Sequence, residues 1–295
     1  MVNEVAVHRS NIEILLKNYN LEEIYRLCRF ESAMGVHLFN FVIDSHEIKL
    51  LIDFLICFSV GKTGEFIARM PMAVNRFSSV DFNKLCSLKN TEELSGYLLQ
   101  TKYSIIANDV KNLEGTGFAT IESKLYRMLY DTVFEDTAGD KKNDSLSVNG
   151  IILMQAELYD FMLIYRAKRY YGCSPIAISS LVMNKRCLIS KKVFKQMIDS
   201  KTADEVLELF SNTKYCKTGR RLSAADDISR FCKQILLQNI KKPIHFSRNP
   251  AVVMLAYILY SEKEVDNIIN IIEGVRYGLP PEEIFENACI PDFKG

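Results

Sequence analysis

Phe161-Met162-Leu163-Ile164-Tyr165-Arg166-Ala167-Lys168-Arg169-Tyr170-Tyr171-Gly172-Cys173-Ser174-Pro175-Ile176-Ala177-Ile178 is the stretch that decides the fold class. Up to Tyr170 its apolar residues recur at three- and four-residue spacing, and the pattern reaches back to Ile151, as in an amphipathic helix. Gly172 then stands where a helix ends in a left-handed cap, a conformation glycine adopts without a Cβ penalty. Ser174 is placed to cap the next helix. Pro175 is placed to open it, because the N–H that proline lacks is unpaired in a first turn anyway. The piece reads as long helix, stop, short helix.

The same punctuation returns 106 positions later. Tyr277-Gly278, Pro281 and Ile284 match Tyr171-Gly172, Pro175 and Ile178, and Asp266 and Ile269 match Asp160 and Leu163. A fainter copy lies upstream, where Gly61 and Ile67 follow the apolar run Glu47–Val60, 111 positions before Gly172 and Ile178. A further correspondence runs at 112 positions. It pairs Thr101-Lys102-Tyr103 with Thr213-Lys214-Tyr215, and the flanks agree: Phe82 with Phe194, Lys89 with Lys201, Glu93 with Glu205, Leu98 with Phe210. The chain therefore reads as all-α, in three pseudo-repeated helical units of about 110 residues, longer than the common helix-pair solenoid repeats. The expected units are 1–80, divergent or shortened, then 81–189, then 190–295, cut short soon after Ile284.

Helical periodicity also covers Leu21–Val42, Phe118–Phe134, Ala224–Ile240 and Val252–Ile272. No run alternates apolar and polar residues between hairpin turn signals. Asp136–Gly150 reads as the clearest loop, with Pro71–Ser79 and Asn184–Ile189 as connectors. Composition is that of a globular chain of 295 residues, 48% hydrophobic and 25% charged. The net charge of +1 favours neither nucleic acid nor an acidic tail. The eight cysteines form no CxxC pair and suit neither zinc nor a disulfide framework, so a reducing compartment and core packing are expected. The best apolar run, Leu50–Val60, contains Asp53 and falls short of the ~20 residues a bilayer requires.

Several local patterns invite a chemical reading. Val60-Gly61-Lys62-Thr63 resembles the tail of a phosphate loop, but that motif needs a glycine where Ile56 stands and a preceding strand. A helix stop fits better. His8, His37, His46 and His245 have no second ligand at metal spacing. The acid pairs Glu157/Asp160 and Glu264/Asp266 are expected near helix starts, where solvation or the helix dipole accounts for them. Phe161, Tyr165, Tyr257 and Tyr260 are expected in the core. The stretch Lys214–Arg248 is basic, and Arg220, Arg221, Arg230, Lys233, Lys241 and Lys242 are candidate contacts to an acidic partner or lipid headgroups, or else a solvated helical face.

The last third carries a longer pattern. Asn249-Pro250 opens a helix, Glu264-Val265-Asp266-Asn267 continues it, and Glu273-Gly274-Val275-Arg276-Tyr277-Gly278-Leu279 closes it. Together with Arg166-Ala167-Lys168, Thr101-x-Tyr103 and Ile121-Glu122, this resembles the C-subunit (or d-subunit) family of V-type and V/A-type ATPases and ATP synthases over about residues 82–285. Two positions depart from the family pattern: no Arg-rich helix precedes the first Thr-x-Tyr element, and Val275 stands where Lys is common. The resemblance implies a funnel-like bundle of three helical units with no active site, cofactor or metal. It implies a peripheral position on the cytoplasmic face of the membrane and partners in the central-shaft subunits D and F and the membrane rotor ring. Nucleic acid and a small-molecule substrate are not expected. Gly61, Gly172, Pro175, Gly278 and Pro281 are the expected helix-stop residues. The competing reading is a helical interaction scaffold of the same fold outside the motor.

Overall fold

The computed structural model describes residues 9–30, 38–71, 74, 76–113, 117–136, 147–185, 187–216, 222 and 227–288. Among them every regular element is helical. The α-helices are α1 (Arg9–Cys28), α2 (Leu38–Ser59), α3 (Thr63–Arg69), α4 (Phe82–Ser87), α5 (Thr91–Leu98), α6 (Ala107–Lys111) and α7 (Phe118–Asp136). They continue with α8 (Val148–Tyr170), α9 (Pro175–Leu181), α10 (Lys191–Asp199), α11 (Ala203–Ser211), α12 (Ile228–Phe246), α13 (Pro250–Arg276) and α14 (Pro281–Asn287). Short 3-10 turns cover Ser104–Ile106 and Lys214–Cys216. The chain divides into two compact units, Met1–Asp136 and Thr137–Gly295.

Most helix starts are written into the local sequence. Asp81, Asn90, Ser147, Ser174, Ser190, Thr202, Asp227 and Asn249 each stand just before a helix, and each side chain accepts a backbone N–H of the first turn. Each such cap contributes about 1 kcal/mol by satisfying a donor that has no partner inside the helix.

In the first unit α2 is the central helix. Its Leu38, Ile48, Leu51, Phe54 and Leu55 are fully buried, and α1, α3 and α7 pack against it. Edge-on and tilted rings carry the core outward, with Phe54 5.5 Å from Phe66 and Phe66 5.9 Å from Phe82, linking α2, α3 and α4. In the second unit α8 holds the centre against α11, α12 and α13. Phe161 of α8 stacks on Phe210 of α11 at 3.7 Å and 17°, and Phe210 stacks on Tyr215 at 5.6 Å and 7°. Burying one such ring stabilises the fold by about 1.5–3 kcal/mol. α14 folds back on α13. A Cβ added to Gly274 would lie 2.6 Å from Cγ1 of Ile284, so only glycine permits that approach.

Some expectations from the sequence are corrected. Leu21–Val42 is not one helix: α1 ends at Cys28 in a turn, and α2 begins at Leu38. The apolar period carries across because the buried Leu21, Ile24, Tyr25 and Cys28 of α1 and Leu38, Phe41 and Val42 of α2 fall at one helical spacing. Of the loop expected over Asp136–Gly150, residues 137–146 lie outside the described residues, and both ends of the expected span are helical. Asp136 closes α7, and Val148–Gly150 form the first turn of α8, capped by Ser147. Glycine and asparagine read as loop residues, but here a capping serine and a buried first turn override them. Tyr257 is not in the core and is 50% exposed. Cys28, Cys57, Cys216 and Cys232 are buried, and none of the seven described cysteines is in a disulfide.

Candidate functional site

The most organised polar features are two buried carboxylate clamps, one in each unit. Glu47 sits in the middle of α2, fully buried. It accepts hydrogen bonds from the Ser78 hydroxyl at 2.6 Å, the Ser79 amide and the Tyr103 hydroxyl at 2.6 Å. Lys102 adds its ammonium at 2.5 Å and also pairs with Asp44 at 2.5 Å. Burial alone would raise the Glu47 carboxyl. Hydrogen bonds from Lys102, Ser78 and Tyr103, with the Lys102 charge, bring it below the ordinary glutamate value. Burial, more than its Lys102 partner offsets, leaves Asp44 raised.

Glu157 does the same work in α8. It is fully buried and accepts from the amides of Cys187, Leu188 and Ile189 at 2.9, 2.8 and 2.9 Å, and from the Tyr215 hydroxyl at 2.6 Å. One turn on, Asp160 accepts from the amides of Met183 and Asn184, both at 2.8 Å. The two acids thus hold the strap 183–189 along α8. Asn184 takes a positive φ of 59° there, which asparagine tolerates better than most residues. Burial and the Glu157 charge push the Cys187 thiol up to about 11. Burial, then the neighbouring carboxylate, keeps the Tyr103 and Tyr215 hydroxyls protonated, as donors.

These geometries correct the reading of Glu157 and Asp160 as solvated acids near a helix start. They lie mid-helix and dry, and their oxygens are taken up by backbone amides and a phenol. That is a structural role, since a general acid or base needs an oxygen available to substrate. Glu264 and Asp266 also lie mid-helix, in α13. Glu264 is exposed, and Asp266 pairs with Lys263 at 3.2 Å. Sequence patterns miss the clamps because their partners lie tens of residues away, as backbone amides around Glu157 and Asp160 and as the Ser78, Lys102 and Tyr103 side chains around Glu47.

Residues 112 positions apart make matching bonds in the two units. Asn90 caps the Glu93 amide at 2.8 Å while Glu93 accepts from the Lys89 amide at 3.0 Å. Thr202 caps the Glu205 amide at 3.2 Å while Glu205 accepts from the Lys201 amide at 2.8 Å. Both are variants of the capping box, with the glutamate reaching one residue beyond the N-cap. Thr101 and Thr213 each donate to a carbonyl three residues back and accept from the amide of Tyr103 or Tyr215.

The glycines singled out as helix stops stand just past α2, α8 and α13. Gly61, Gly172 and Gly278 have φ of 69°, 56° and 65°. No atom lies within 4 Å of a Cβ built on any of them, so backbone conformation and not space selects glycine. After Gly61 the Lys62 amide bonds Cys57 O at 2.8 Å, and after Gly278 the Leu279 amide bonds Gly274 O at 3.0 Å. Both are six-to-one closures. Gly172 closes one residue wider, from Cys173 N to Ala167 O at 3.1 Å. Pro175 and Pro281 open α9 and α14. Gly61-Lys62-Thr63 links two helices, with no strand before it.

Of the basic candidates, Arg220 and Arg221 lie outside the described residues. Arg230 and Lys233, in the first turns of α12, line a groove of about 280 Å³ against Asn270, Glu273 and Tyr277 of α13 and its cap. Lys241 and Lys242 sit further along α12 and outside that groove. The lining is mixed in charge, with Asp227 and Glu273 beside Arg230 and Lys233. Among the described residues no His/Cys/Asp/Glu cluster is arranged to hold a metal. No described helix is long and apolar enough to cross a membrane.

Comparison with known proteins gives a consistent result. The family model described as ATP synthase (C/AC39) subunit matches residues 1–287. The C subunit of the A-type ATP synthase of Methanosarcina mazei is 21% identical over 231 residues, 77% of this chain and 62% of that protein. Its counterpart in the A-type ATP synthase of Methanococcoides burtonii is 25% identical over 186 residues, 61% of this chain and 51% of that protein. The chain thus spans between half and two thirds of the length of these relatives.

Proposed function

This chain belongs to the ATP synthase (C/AC39) subunit family, and from that premise we propose that it is the non-catalytic central-stalk subunit of a V/A-type rotary ATPase. In this reading it joins the shaft subunits D and F to the membrane rotor ring and sits peripherally on the cytoplasmic face. The observation that carries the reading is the family match along nearly the whole chain. The clamps supply a physical reason for it. A part that transmits torque must not shear internally, and a buried carboxylate tying a strap and a tyrosine to the central helix resists shear in both units. Catalytic chemistry belongs to other subunits, and this one takes no cofactor and no small-molecule substrate.

The three helix–glycine–helix pieces support a reading of the chain as three related copies, 1–80, 81–189 and 190–295, arranged as a funnel. The bonds from Glu47 to Tyr103 and from Glu157 to Tyr215 span 80/81 and 189/190. In this reading the first copy is tied to the second, and the second to the third, each through its own long helix.

The test is recovery of the tagged chain from its native membranes after mild detergent extraction, with partners identified by mass spectrometry. Shaft subunits D and F together with the ring subunit are expected. Unrelated soluble proteins, with a motor that assembles without this chain, would move the function to a helical scaffold outside the motor.

A further inference from the structure

We infer that the surface running from the end of α8 through α9 to α10 docks on anionic lipid headgroups. Between Asp160 and Asp199 the chain carries eight lysines and arginines and no acid. The whole chain is only +1, so the remainder is net acidic. The charge is concentrated in one continuous piece, and α9, which follows the bend after α8, packs on α10. Arg166, Arg169, Lys191, Lys192 and Lys195 are exposed.

Apolar groups stand out from the same piece. Tyr170 is 69% exposed, Tyr171 77% and Ile176 84%, the last being the most exposed large apolar residue described. Their positions are imposed by the helix stop. Gly172 turns the chain so that two tyrosines and an isoleucine flank the bend, and the Cys173 amide locks it on Ala167 O. Asp160 and Glu157 tie down the strap that leads into α10.

Lysine and arginine near an anionic leaflet are drawn to its surface potential. Tyrosine, apolar in its ring and polar at its tip, suits the headgroup level. Lysine is depleted at protein–protein interfaces, and Lys191, Lys192 and Lys195 dominate this surface, so a lipid surface fits it better than an acidic protein. The inference goes beyond the coupling reading and does not depend on it, since purified chain and lipid need neither shaft nor ring.

The experiment is co-sedimentation of the purified full-length chain with vesicles of phosphatidylcholine containing about 30% phosphatidylglycerol, against vesicles of phosphatidylcholine alone. Binding to the anionic vesicles only is expected, released at about 0.5 M salt. Lys191→Gln/Lys192→Gln/Lys195→Gln should lower partitioning about a hundredfold, about fivefold per charge. Tyr170→Ser/Tyr171→Ser/Ile176→Ser should lower it with the salt dependence unchanged. Both triple variants alter exposed side chains, and circular dichroism checks that each is folded. Lys233→Gln/Lys241→Gln/Lys242→Gln, on α12, should bind like the unaltered chain. No binding, equal binding to neutral vesicles, loss of binding only in the α12 variant, or capture by soluble polyglutamate in place of vesicles would each overturn the inference.

Discussion

At the scale of single residues, the buried glutamates carry the heaviest electrostatic burden. Glu157→Ala would strand three amides and a phenol in the interior, and each unsatisfied buried donor costs about 1–3 kcal/mol. A loss on the order of 3 kcal/mol or more is expected in chemical denaturation, with Glu157→Gln losing less because one oxygen still accepts. Tyr215→Phe should cost about 1 kcal/mol. If Glu157→Ala unfolded at the wild-type midpoint, the clamp would not be a stabilising device. Glu47 gives a separate test through pH. Its folded-state value lies below the ordinary 4.5, so the stability it contributes is present above that pH and is lost as pH falls toward its folded value. Asp44, raised above its ordinary 3.8, works in the opposite sense. Glu47→Gln should therefore flatten the fall of stability between neutral pH and pH ~3, while lowering stability at neutral pH. An unchanged pH profile would show that the carboxylate is not ionised in the clamp.

At the scale of elements, the fold is punctuated by glycines. Gly172→Val places a β-branched residue at a φ of 56°, and the left-handed region costs such residues about 1–2 kcal/mol or more. Gly172→Asn should retain most of the stability, since asparagine tolerates that region. Thermal melting of the pair measures the difference, and equal midpoints would mean the cap relaxes freely. Gly274 acts by another route. It lies inside α13, where glycine is normally unfavourable, and its missing Cβ makes room for Ile284. Gly274→Ala should gain helix propensity and still lose about 1–3 kcal/mol by forcing α14 outward. The sign of that single change distinguishes packing from propensity.

At the scale of the whole molecule, charge is distributed unevenly. A near-neutral total conceals the basic piece between Asp160 and Asp199. Lys214–Arg248 is the more conspicuous basic stretch in the sequence, although a running count of charge marks the earlier piece as well. The two regions differ in setting. Arg230 and Lys233 line a groove beside Asp227 and Glu273, whereas the earlier piece has no acid of its own.

What the sequence by itself determined was local and periodic. The apolar spacing made the chain helical, serine, threonine and asparagine caps set where helices begin, and Gly61, Gly172 and Gly278 set where three of them end. These signals act within a few residues, so they are legible without a partner. The matching bonds 112 positions apart were legible for the same reason, because the helix caps and Thr-x-Tyr turns that make them close over short spans. The break after Cys28 was not legible, since the apolar spacing of α1 continues in phase into α2. The tertiary structure alone decided that Glu47, Glu157 and Asp160 are buried, because their partners lie tens of residues away: backbone amides for Glu157 and Asp160, and mainly the Ser78, Lys102 and Tyr103 side chains for Glu47. It alone also decided that Tyr257 faces solvent and that Tyr170, Tyr171 and Ile176 surround a basic bend. Exposure depends on which helices pack together, and that choice is made by the summed burial of many side chains, not by the residue itself.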